Sequence, residues 1–167
     1  MRIFAVVAIG VLLTAGCRSE PIKDDKSGAS SSSAGKPTAV DCAHDIGGRP
    51  PDDDFRLILD AVALPTAQLQ ASDSGEPGRL FAKTGLLVRA GTAVELTVDP
   101  SARGVTIGWG SPGPEGTTIR VPACPNVNGW LAFAGGYHVP QPMCVPLIVR
   151  ANGSEQRAEV RVGADCD

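Results

Sequence analysis

The sequence predicts an all-β protein, an antiparallel β-sandwich of the immunoglobulin-like kind closed by two disulfides. Three observations carry this. Apolar and polar residues alternate with period two in several short runs, the pattern of a half-buried strand. Glycine and proline are dense, 20 and 14 residues in the chain of 167, which opposes long helices. Four of the five cysteines fall between residues 41 and 167, an even number that suits paired thiols in an exported domain.

The strands follow in order. "FRLILDAVAL" (Phe55 to Leu64) is continuously apolar and reads as a central strand. In "AVELTVD", Val94, Leu96 and Val98 share one face against Glu95, Thr97 and Asp99. Val105, Ile107 and Trp109 alternate in "GVTIGWG", and Ile119 and Val121 in "TTIRV". "GWLAFAGGYHVP" reads as a strand from Trp130 to Phe133, a bend at Gly135-Gly136, and a short strand through Val139. "CVPLIVRA" (Cys144 to Ala151) is a second central strand, and "AEVRVG" alternates again through Ala158, Val160 and Val162. Asn152-Gly153 marks a type I′ hairpin, because both residues tolerate positive φ. Ala90-Gly91, Asp99-Pro100 and "SPGPEG" mark other reversals. A set of about seven or eight short strands fits a sandwich, with a closed barrel of about eight strands as the alternative.

The N-terminal part has a different character. "MRIFAVVAIGVLLTAGC" places Arg2 before an apolar run from Ile3 to Leu13. That run is shorter than the about 20 residues a membrane span needs, and it suits the apolar region of a secretory signal. Leu13-Thr14-Ala15-Gly16-Cys17 resembles the lipobox of bacterial lipoprotein precursors, with Thr14 where the family most often has leucine. The resemblance implies a signal peptide over residues 1–16, cleavage before Cys17 and diacylation of its sulfur. Each buried acyl methylene contributes about 0.8 kcal/mol, and two chains hold where one is marginal. The implied partner is membrane lipid through acylated Cys17, and the implied location is the extracytoplasmic face of the cell membrane.

Residues 17–40 are dominated by Ser, Gly, Ala, Lys, Asp and Pro. Such a composition buries too little surface to offset its ordering entropy and predicts a disordered tether with a reach of roughly 25–30 Å. The domain is then expected over residues 41–167. Cys42, Cys124, Cys144 and Cys166 allow three pairings. Cys42–Cys166 would join the two ends of the domain and Cys124–Cys144 would close a local loop; these two are favoured.

The domain carries one lysine and nine arginines against fifteen acidic residues. With no basic stripe to follow a phosphate backbone, a nucleic-acid partner is not expected. No cofactor is expected either. A blue-copper site needs two histidines and a cysteine, and no histidine follows Cys144. "PPDDDF", Asp52 to Asp54, lacks the spacing of a calcium loop. No GxSxG or HExxH motif occurs, so no catalytic residue is assigned and no metal site is predicted.

The remaining candidate is the segment "GWLAFAGGYHVP": a tryptophan near a disulfide favours core packing, as in immunoglobulin-like domains, and a recognition surface near the Gly-Gly bend is the alternative. Trp130, Phe133, Tyr137 and His138 cluster around the Gly-Gly bend, in a chain with only seven aromatics. A deep polar pocket holding His138 beside an acid would favour catalysis on a cell-wall or glycan substrate. A shallow aromatic patch would favour binding to an envelope protein or glycan. A secreted structural protein is a third reading. "TGLLVRAGTAVELTV", "GWLAFAGGYHV", "CVPLIVRA" and the final "VGADC" together resemble a group of uncharacterised exported proteins of high-GC Gram-positive bacteria, over about Arg79 to Cys166. That resemblance implies an envelope location and a β domain, with no assigned activity.

Overall fold

The computed structural model describes residues 38–166; the expected signal peptide, Cys17 and the tether through residue 37 lie outside the described residues, as does Asp167. The strands are β1 (Thr38–Ala39), β2 (Phe55–Ile58), β3 (Val62–Pro65), β4 (Ser72–Asp73), β5 (Leu80–Arg89) and β6 (Val94–Val98). They continue with β7 (Thr106–Trp109), β8 (Glu115–Gly116), β9 (Thr118–Val121), β10 (Trp130–Val139), β11 (Met143–Ala151) and β12 (Ser154–Val162). One 3₁₀ turn, Cys42–His44, follows β1. Two sheets form: a five-stranded one ordered β1-β9-β6-β11-β12, and a seven-stranded one ordered β2-β3-β5-β10-β7-β8 with β4 beside β5. Pairing between these strands is antiparallel except β1 with β9. The arrangement is a sandwich, and the barrel alternative does not hold.

The core lies between the sheets, built by the predicted alternation. From one side come Val94, Leu96 and Val98 of β6 and Val145, Leu147 and Val149 of β11. From the other come Leu86 and Val88 of β5 and Leu131, Phe133 and Tyr137 of β10. Cross-strand register matches Phe133 to Leu86 and Tyr137 to Ala82. Trp109 of β7 meets Tyr137 edge-on, with centroids 5.4 Å apart, and its indole N–H donates to the Thr84 carbonyl at 3.2 Å. Edge-to-face contact is the favoured geometry for such a pair.

Four expectations are corrected. Phe55 to Leu64 is not one central strand. It is a hairpin, β2–β3, turned by Leu59 and Asp60 at φ of 53° and 56°, an unusual conformation for residues other than glycine. The Gly135-Gly136 bend is also absent, since β10 runs unbroken for ten residues. The glycines serve close approach: a Cβ at Gly135 would strike the Gly108 carbonyl and Trp109, and one at Gly136 the Ala82 carbonyl. The folded domain begins before residue 41, because β1 pairs with β9 and Val40 is buried. By contrast, Asn152 and Gly153 adopt φ of 53° and 73° between Ala151 and Ser154, the expected two-residue hairpin.

The fourth correction concerns the disulfides. They join Cys42 to Cys124 and Cys144 to Cys166, with Cα separations of 5.6 and 4.9 Å. Strand order gives the reason. Cys42 follows β1 and Cys124 follows its neighbour β9, while Cys166 follows β12, the neighbour of β11 that carries Cys144. β1 and β12 are opposite edges of one sheet, four strand spacings or about 19 Å apart. That exceeds disulfide reach, so Cys42–Cys166 cannot form. Loop-entropy arguments assign about 3 kcal/mol to the bridge closing 22 residues and about 4.5 to the one closing 82.

Candidate functional site

Three of the four residues of the candidate aromatic surface are buried. Phe133 and Tyr137 are fully buried in the core, and Trp130 is only 5% exposed. Strand alternation turns Trp130 and Ala132 outward, but the segment after the 3₁₀ turn crosses this part of β10. Ile46 N–H donates to the Ala132 carbonyl at 2.9 Å, and Ala132 N–H donates to Asp45 Oδ1 at 2.9 Å. The same carboxylate accepts from Gly47 N–H at 3.0 Å and from the Asn126 amide at 2.8 Å. Burial works to raise the Asp45 pKa, but these donors, Ala132 foremost, outweigh it and hold the carboxyl below its ordinary value. The Arg89 guanidinium lies 4.8 Å from the Trp130 ring centroid and closes the remaining side. Asp45 thus caps an otherwise open stretch of strand edge, a common protection against unwanted pairing.

His138 is the exception, with 21% of its side chain exposed. Its ring packs against Phe81 at a centroid distance of 4.7 Å. Nδ1 lies 3.3 Å from Glu115 Oε1, without hydrogen-bond alignment. That oxygen already accepts from Arg79 Nη2 and Thr106 Oγ1, both at 2.5 Å, and Arg79 also pairs with Glu76 at 2.5 Å. Burial pushes the Glu115 pKa upward, yet the Thr106 and Arg79 donors and the nearby His138 bring it below the ordinary value. Phe81, Ser111, Glu115 and His138 border a recess of about 140 Å³, smaller than the about 300 Å³ at which ligand pockets begin.

A larger feature, which sequence reasoning missed, lies on the outer face of the five-stranded sheet. Cross-strand register places Arg120 opposite Glu95, Glu95 opposite Arg150, and Arg150 opposite Glu155. One rung of alternating charge therefore spans β9, β6, β11 and β12. Arg120 Nε donates to Glu95 Oε2 at 2.7 Å, Arg150 Nη1 to Glu95 Oε1 at 2.9 Å, and Arg150 Nη2 reaches Glu155 Oε2 at 2.7 Å. The Arg120 hydrogen bond and then that of Arg150 overcome desolvation and lower the Glu95 pKa. The rung borders an open trough of about 770 Å³ whose exposed apolar walls include Ala39, Ala93 and Pro122. Each charge was visible as the polar member of a strand alternation; only strand order brings the four together.

Two remaining features, one from the sequence and one from the structure, resolve locally. Asp54 N–H donates to Asp52 Oδ1 at 3.2 Å, so the acidic run folds on itself as a turn. Cys144, Glu159 and Cys166 offer ligand atoms within 4.8 Å of one another, but both sulfurs are committed to a disulfide. No protein-family model matches the chain, and no curated protein matches it.

Proposed function

We propose that this chain is a lipid-anchored protein of the cell envelope whose extracytoplasmic sandwich works as a binding module. The lipobox-like Leu13 to Cys17 supports the anchor, and the two disulfides support an oxidising compartment. The single observation that carries the binding reading is the trough beside the charge rung. Its volume falls in the range of ligand sites, and it rests on paired strands, whose rigidity reduces the ordering cost of association. Radiolabelled palmitate should label the wild type and not Cys17→Ala; equal labelling would end the lipoprotein reading. Crosslinking from intact envelopes should recover a ligand attached at the trough, and attachment confined to other faces would remove the module assigned there.

A second reading, an envelope hydrolase acting on a cell-wall or glycan substrate, is favoured by one observation. His138 Nδ1 faces a carboxylate in a recess that Ser111 also borders, a set of residue types that nucleophilic catalysis uses. Against it, Glu115 Oε1 is engaged by Arg79 and Thr106. Loss of a detected hydrolytic activity in both Ser111→Ala and His138→Ala, with folding intact, would favour this reading over the first.

A further inference from the structure

We infer that the trough on the five-stranded sheet binds peptides through a carboxylate, and that Arg120 is the residue that recognises it. The inference rests on the binding-module reading and names its ligand class. Within the rung, Glu95 uses both carboxylate oxygens and Arg150 both terminal nitrogens. Arg120 enters only through Nε. Among the described residues its two terminal nitrogens have no ion-pair or hydrogen-bond partner, and its side chain is 54% exposed. A guanidinium edge with two N–H donors matches a carboxylate in a two-bond fork. The bond to Glu95 holds the side chain in place beforehand, so less freedom is lost when a ligand binds.

Charge and lining narrow the ligand further. The rung contains two arginines and two glutamates, and one guanidinium edge is unspent. That balance suits a single negative charge; a phosphate dianion would meet Glu95 and Glu155 with too little compensation. The exposed apolar part of the lining is aliphatic and small, from Ala39, Ala93 and Pro122, with no aromatic ring. Sugars commonly lay their C–H faces on aromatic rings, so an acidic glycan lacks its usual platform. A small aliphatic surface beside a carboxylate anchor fits an extended peptide with small side chains.

The test uses the full chain and two probes, acetyl-trialanine with a free carboxylate and the same peptide as its C-terminal amide. Backbone amide NMR should show the acid shifting resonances of Ala39, Glu95, Arg120 and Val121, with affinity about tenfold above the amide. Arg120→Gln should reduce the acid to the level of the amide, and Arg120→Lys should keep part of the preference. Glu155→Gln removes a negative charge from the trough without touching Arg120, so it should bind the acid at least as tightly. Weaker binding there overturns the inference even if Arg120→Gln fails to fold. Equal affinity of acid and amide at the trough would overturn the carboxylate assignment and leave the binding module standing. The absence of any shift at the trough would overturn both.

Discussion

The outer faces of the two sheets were built to different plans. On the five-stranded sheet, β6 and β11 alternate between buried and solvated positions almost without exception, and the solvated side carries the charge rung. On the seven-stranded sheet, β10 buries both faces for most of its length. A loop crosses it, Arg89 closes over Trp130, and two glycines let neighbouring strands press close. The solvated face therefore tolerates change, whereas β10, unlike its half-buried neighbour β5, is packed on both sides. Four measurements would break or sharpen this contrast.

The largest effect should come from Gly135→Ala. The added methyl has to enter the space of the Gly108 carbonyl and Trp109, and overpacking against backbone costs about 3 kcal/mol or more. Gly85→Ala on the adjacent β5 meets nothing within 4 Å and should change urea-unfolding stability by less than about 1 kcal/mol. Similar losses in both would remove close approach as the reason for Gly135.

Asp45→Ala comes next. It strips the acceptor from Ala132 N–H and from the Asn126 amide, and an unmet buried donor costs about 1–3 kcal/mol. A variant as stable as wild type in chemical denaturation would mean that solvent reaches this edge.

Acid supplies the third measurement. Asp45 and Glu95 have pKa values lowered on folding, so the unfolded chain takes up protons first as pH falls. Their stabilisation is complete above the ordinary carboxylate range, about pH 5, and is lost as pH drops through the folded values. Denaturation midpoints should thus fall between pH 6 and pH 3 (about the span of carboxylate titration), with a shallower slope in Glu95→Gln. An unchanged slope would remove Glu95 from the acid response.

The smallest effect should be that of His138→Ala. It loses the packing against Phe81 and no hydrogen bond, so stability should move by about 1 kcal/mol or less, and any activity should persist. A large loss of activity without unfolding would shift the centre of the molecule to the recess.

The same contrast marks where sequence reading succeeded. Val94, Leu96 and Val98 alternated as written, and Asn152-Gly153 turned as its chemistry demands. A solvated sheet face leaves a period-two signature, and a type I′ turn leaves a dipeptide. The misses have physical causes of their own. Leu59-Asp60 turns a hairpin with residues that seldom hold positive φ, so no turn signal precedes it. Gly135-Gly136 was read as a bend because sequence does not distinguish a glycine needed for its torsion from one needed for its absent Cβ. Whether Trp130 packs or faces a ligand stayed open in the sequence because alternation knows nothing of the upstream loop from which Asp45 caps Ala132. Disulfide partners and the charge rung both depend on which strands are neighbours, information that periodicity does not contain.

The Cys42–Cys124 bridge has a mechanical consequence. A pull applied from the N-terminal side can unzip the short pairing of β1 with β9 and draw Val40 from the core before tension reaches a covalent bond. From there the load passes directly to Cys124, and the strands between the two cysteines are bypassed rather than stretched. A domain so wired gives up its β1 edge beside Arg120 first, while the strands between the two cysteines stay in register.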